Sequence, residues 1–278
     1  MSIASRRLQK AKKPVPSPST WPDASNTGWA VTGATLTNYT GPSFMNNAGA
    51  VTLDSKTTSY FQINGATQLT LTRCQVNGFI DVVHPATLVI EDSNIDAGQT
   101  SMGAISGDNI TIRRCNITGG QHSVQCHGNG LIEDSYLHDQ WNDPNSSFHL
   151  NAYISNGGSN VTLRHNRLKC DSPVNVNDGG PTGDASIFGD WATPTNFTFD
   201  NNLFMPTTGS YGGSFGYNPG KPYGSNPSNI VVTNNVFQRG SSGQCGVYGP
   251  VTSFLVGAPG NVWSNNTYED DGAIILPA

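Results

Sequence analysis

Missing from this sequence are an apolar run long enough to cross a bilayer, a hydrophobic stretch behind its N-terminal charges, and any CxxC pair. The first lack excludes a membrane-spanning helix, the second a secretory signal, and the third a cysteine-based metal site. Charge is scarce too, at 12% of residues, and it is unevenly placed. Arg6, Arg7, Lys10, Lys12 and Lys13 are five of the 14 basic residues, leaving nine against 19 acidic ones, a net −10. A body so acidic is a poor nucleic-acid surface. Its wealth of Asn, Ser and Thr suits carbohydrate better. The basic, then Pro/Ser-rich residues 1–24 read as an N-terminal arm outside one domain over 25–278.

What the sequence does have is one phrase written eight times. The copies are LTLTRCQV (69–76), LVIEDSNI (88–95), ITIRRCNI (110–117), GLIEDSYL (130–137), VTLRHNRL (161–168), FTFDNNLF (197–204), IVVTNNVF (230–237) and NVWSNNTY (261–268). They share apolar third and eighth places, an apolar first place except at Gly130 and Asn261, and one small polar column at the sixth: Cys74, Ser93, Cys115, Ser135, Asn166, Asn202, Asn235 and Asn266. Self-similarity at such a period means a stacked solenoid. First and third places alternate as in a strand, yet the sixth and eighth keep inward character across an odd offset, so a bend lies between. A third apolar strand follows each phrase: FIDVV (79–83), GAI (103–105), SVQC (123–126), AYI (152–154), ASIF (185–188), GSF (213–215) and GVY (246–248). Three strands per coil predict an all-β, right-handed parallel β-helix. Asn at one stacked corner predicts an inward ladder that satisfies backbone groups left unpaired by the turn.

Coil length points to the site. Between ladder residues the coils run 19, 22 and 20 residues as far as Ser135, then 31, 36, 33 and 31. The surplus must leave the column as loops, where solenoids carry function. It falls at 138–151, 169–184, 205–212 and 218–229, flanking one sheet and predicting a trough floored by Gln125, Tyr153, Ser186 and Ser214. Asp184, Asp190, Trp191, Tyr217, Lys221, Tyr223 and Tyr248 fall near its rim. Aromatics among amides and carboxylates stack on and hydrogen-bond sugars, so Tyr153, Asp184, Asp190, Trp191, Tyr217 and Tyr223 are the glycan-binding candidates. His149 and Lys221 are the candidates for proton transfer.

No pair of acids has a spacing that fixes a glycosidase separation. Asp178, Asp184 and Asp190 are the only acids placed to share a Ca2+, a thin donor set without a motif, and no other metal or cofactor is indicated. Cys74 and Cys115 read as buried ladder fillers, with Cys126–Cys170 as a disulfide candidate. His165 reads as a corner filler. The N-x-S/T sequons at Asn38, Asn109, Asn116, Asn145, Asn160, Asn196 and Asn265 mostly coincide with strand starts, which makes them products of the repeat.

With the repeats, WPDASNTG (21–28), TNYTGP (37–42), GKPY (220–223), NNVFQRG (234–240), YGPVTSF (248–254) and GNVWSNN (260–266), the chain resembles a family of actinobacterial and actinobacteriophage β-helix proteins over about residues 20–278. The wider resemblance is to pectate-lyase-like β-helices. Secreted members imply carbohydrate chemistry, and phage members are minor tail proteins. The resemblance thus implies a virion tail protein assembled in the host cytoplasm, attached to other tail proteins through the basic arm, homotrimeric like many tail β-helices, and binding host envelope polysaccharide. A polysaccharide lyase is the alternative. The lyases' acid cluster with an Arg or Lys base has only Lys221 as a clear counterpart here.

Overall fold

A computed structural model describes residues 21–175 and 179–278. They wind into a parallel β-helix whose strands stack as three sheets of nine, ten and nine strands. Each phrase supplies two strands. Its opening places form a strand of the first sheet, such as Ile110–Arg113, and its closing places a strand of the ten-stranded second sheet, such as Asn116–Thr118. The copies are in register: Leu69, Leu88, Ile110, Gly130, Val161, Phe197 and Ile230 pair in turn.

The corner is the fifth place of the phrase. Arg73, Asp92, Arg114, Asp134, His165, Asn201, Asn234 and Asn265 all hold left-handed φ values of 48° to 57°. Such a backbone is costly for any residue with a Cβ. The adjoining ladder residue offsets it with hydrogen bonds. The N–H of Cys74 donates to Ser93 Oγ (2.9 Å) and that of Cys115 to Ser135 Oγ (3.0 Å). From Ser135 onward each ladder N–H donates to the Oδ1 of the Asn one coil ahead: Asn166, Asn202, Asn235 and Asn266, at 2.9–3.0 Å. All eight column residues are fully buried.

A ninth copy, VTLDSKTT (51–58), precedes the eight, with Val51 opposite Leu69. Lys56 at its sixth place breaks the small polar column, which hides this coil from a reading of the sequence. The third sheet runs from Phe44–Asn46 to Gly249–Thr252. Two of its strands differ from expectation: GVY (246–248) only leads into Gly249–Thr252, and GAI gives way to Ile105–Gly107. At the fourth place of the phrase Glu91, Arg113, Glu133, Arg164 and Asp200 are direct register partners of alternating sign. Arg113 reaches Glu91 at 3.0 Å and Glu133 at 2.6 Å, and Arg164 also pairs with Glu133. A slip by one coil would put like charges opposite each other, so this column helps to set which coil stacks on which. A second amide row explains several sequons: Asn129, Asn160 and Asn196 each donate to the Asn one coil back, beginning at Asn109.

Trp21, within the stretch read as the N-terminal arm, is the first of the described residues. Trp21 is fully buried against Leu203 and Val236 of the second sheet. The following residues run back across that sheet toward earlier coils, where the N–H of Gly28 donates to Arg114 O and Trp29 Nε1–H to Gln75 Oε1. At the far end Trp263, Phe254 and Ile275 close the core, with Trp263 Nε1–H donating to Ile275 O at 2.8 Å. No helix among the described residues is long and apolar enough to cross a membrane.

All five cysteines are free, which overturns the Cys126–Cys170 pairing. Cys126 follows the third-sheet strand His122–Gln125, whereas Cys170 follows the second-sheet strand Arg167–Leu168, ahead of the next third-sheet strand. The two thus lie at opposite ends of the third sheet's strands. Burial pushes Cys115 and Cys126 up to about 12, so both stay as unreactive thiols.

Candidate functional site

The long loops flank the third sheet as the coil lengths require. Residues 138–148, 169–175 and 205–210 lie ahead of its strands, and 188–194 and 216–227 lie behind them. The floor between them differs from expectation by one residue. Gln125, Ile154, Ser186 and Ser214 are register partners on the outer face. Tyr153 pairs instead with Val124 and Ala185 of the core, is fully buried, meets Phe199 edge-on at 6.1 Å, and donates its hydroxyl to Cys126 O at 2.8 Å. Side chains alternate with period two, so a one-residue offset moves a stacking candidate into the core. Ile154, Ser186 and Ser214 are themselves buried, so the floor offers a sugar almost no surface.

Asp184 is also removed from the rim. It is fully buried and accepts the Cys170 N–H through Oδ1 at 2.8 Å, while Oδ2 has no partner. Burial drives its pKa well above the carboxylate range, so it is a neutral acid rather than a calcium ligand. Asp190 is paired with Lys221, Asp178 lies outside the described residues, and no group of His, Cys, Asp or Glu among the described residues could hold a metal ion. The unfolded Asp184 ionises near 3.8 while the folded one keeps its proton, so stability drains away as pH rises above about 4. Asp184→Asn is therefore expected to gain on the wild type in urea denaturation midpoints as pH rises above about 4. Parallel curves would mean that the folded carboxyl ionises normally.

The remaining candidates gather at the trailing edge. Trp191 donates its backbone N–H to Asn156 O at 2.9 Å, stands edge-on to His127 at 4.8 Å, and is 62% exposed. His127 Nδ1 accepts the Asn156 N–H at 3.0 Å, and its Nε2 lies 3.3 Å from Gln125 Nε2. Burial lowers the His127 pKa and keeps the imidazole neutral. Lys221 Nζ lies 2.7 Å from Asp190 Oδ1 and 5.7 Å from the Phe188 ring centre. Tyr223, 49% exposed, donates its N–H to Gly189 O at 2.8 Å. Gly189 permits that approach, since a Cβ there would lie 2.4 Å from Gly224 N. Tyr217, half-buried, is tied to Ser253 O at 2.8 Å.

His149 does not join this group. It opens the strand His149–Ser155, while Trp191 is tied to Asn156 just past its end, so about seven steps at about 3.3 Å leave the two edges roughly 23 Å apart. Exposed at the leading edge, His149 has no route to Lys221. Lys221 in turn is fixed by Asp190 and is no free base. His127 and Phe188 were not among the residues the sequence singled out for the site, because nothing in the repeat distinguishes them from structural side chains.

Comparison with family models, curated proteins and solved structures yields no match for this chain.

Proposed function

We propose that this protein is a virion tail component that holds an envelope glycan without cleaving it, with sugar rings stacked on Trp191 and Tyr223. The observation that carries the binding is the exposed Trp191 and Tyr223, held by backbone hydrogen bonds on loops flanking the Asp190–Lys221 pair. Rigid aromatic anchors with polar groups between them suit a ring that is apolar on its face and hydroxylated at its edge. The separation of His149 from Lys221 argues against the lyase alternative, since proton abstraction and leaving-group protonation need groups that converge. The tail assignment draws on the resemblance of the repeat phrases to those of phage β-helix proteins and on the basic residues preceding Trp21.

Two measurements test this. Purified host envelope polysaccharide should bind with its chain length unchanged and no new ultraviolet absorbance. Trp191→Ala should weaken binding about thirtyfold, the loss of an anchor worth about 2 kcal/mol. Shortened chains whose appearance is abolished by His149→Ala would make the site catalytic instead. Mass spectrometry of purified particles should find this chain, and its absence from them would remove the tail assignment.

A further inference from the structure

Where the second sheet turns into the third, successive coil corners and residues 172–173 enclose a groove of about 540 Å3, the size of a small-ligand site. It lies at the leading edge, opposite Trp191. Its walls carry Asp96, Thr118, Asp139, Gln140, Trp141 and Asn142. Gly119, with φ of 73°, belongs to the lining because a Cβ there would lie 2.4 Å from Gly98 N. The coils can approach each other here only without that side chain.

Each polar group has a settled state. The Trp141 backbone N–H donates to Gly120 O at 2.8 Å, and its ring stands edge-on to Phe148 at 6.2 Å. Asn142 is held by Pro173 O at 2.6 Å. Gln140, 5% exposed, donates to Ser123 Oγ at 2.7 Å, and its Oε1 has no partner. Asp96 Oδ1 accepts the Gly98 N–H at 3.1 Å. Asp139 Oδ2 lies 2.8 Å from His138 Nδ1, and His138 Nε2 lies 2.7 Å from Asn116 Oδ1, so the ring is held between the two side chains, while burial lowers its pKa. Lys169, whose charge is felt at His138, is held by Asp171 at 2.9 Å. No Lys or Arg lines the groove.

An aromatic face beside two carboxylates, with no Lys or Arg in the lining, has a clear chemical preference. Carboxylates accept hydrogen bonds and cannot donate them, so they favour hydroxyls and repel a third carboxylate. We propose that this groove seats a hexose unit carrying no acidic group, its face on Trp141 and its hydroxyls donated to Asp96 and Asp139. The inference rests on the glycan reading above and narrows it, because polyuronates are excluded by charge.

Titrating the full chain with matched tetramers tests it: N-acetylglucosamine as the neutral probe and galacturonate as the acidic one, followed by calorimetry. The neutral tetramer should bind, and Trp141→Ala should weaken it tenfold or more. Galacturonate should bind at least tenfold more weakly than the neutral probe, and the double substitution Asp96→Asn, Asp139→Asn should narrow that gap. Unchanged melting temperatures check that the variants are folded, and Trp141→Phe should restore part of the binding. Equal affinity for the two probes overturns the charge argument. A neutral tetramer lost in Trp191→Ala but indifferent to Trp141→Ala overturns the groove and keeps the trailing-edge site. The reverse pattern keeps the groove and removes that site, and binding of neither probe overturns this inference.

Discussion

Acidification from pH 7 to pH 3 is expected to cost the folded protein about 4 kcal/mol at His122 alone. This imidazole is almost wholly buried in the strand His122–Gln125, and its Nδ1 has no hydrogen-bond partner. Burial, aided by the charges of His149 and His127, lowers its pKa from the usual 6.5 to about 3. Between those two values the unfolded chain binds a proton that the folded chain refuses. The stabilisation is therefore complete above about pH 6.5 and drains away toward pH 3, at about 1.4 kcal/mol per pH unit. Against a typical total of about 5–15 kcal/mol, that is a large fraction. Asp184 works the other way, losing stability as pH rises, so the raw pH profile mixes the two. The difference between wild type and His122→Gln isolates the histidine. In urea titrations from pH 7 to pH 3.5 the variant should decline less steeply, by one proton's worth. Parallel profiles would show that the folded imidazole accepts its proton at an ordinary pH.

Much of the fold was legible because a solenoid writes its geometry into every coil. The sixth-place column from Cys74 to Asn266 and the two-strand phrase reappear with pairing in the expected register, and a third strand follows in each coil, displaced by a few residues in two of them. The alternating Glu91, Arg113, Glu133, Arg164 and Asp200 were equally readable as a column, though only the structure shows the first four joined by ion pairs. The site was harder, for two physical reasons. Periodicity tells which residues alternate but not which of two neighbours faces out, and that single offset exchanged Tyr153 with Ile154. Loops then carry no period at all. Sequence order placed His149 and Lys221 over the same sheet, but not at its opposite edges. Burial of Asp184 likewise depends on chain segments at 170 and 205 that only folding brings around it. The groove draws on corners of several coils, so Asp96 and Asp139 share no motif.

Replacing Asn202 by Leu is expected to destabilise the protein by about 3 kcal/mol, the sum of two orphaned buried groups at about 1–3 kcal/mol each. Asn202 Oδ1 accepts both the N–H and the Nδ2–H of Asn166, each at 3.0 Å. Its Nδ2 donates to Leu163 O at 3.0 Å and to Asn235 Oδ1 at 3.0 Å. Leucine fills a similar volume and answers none of these. The left-handed corner at Asn201 then loses its offsetting bonds on the neighbouring residue. Serine makes the discriminating control, because Ser93 and Ser135 already occupy this column and accept the preceding coil's N–H at 2.9 and 3.0 Å. Asn202→Ser should keep the Asn166 N–H satisfied while giving up the Leu163 carbonyl, and so cost about half as much. Urea denaturation of the three proteins should rank them wild type, Ser, Leu. If the leucine variant matched the wild type, the ladder would be a by-product of stacking rather than a source of stability. If serine cost as much as leucine, the amide's donor arm and not its acceptor would be what holds successive coils together.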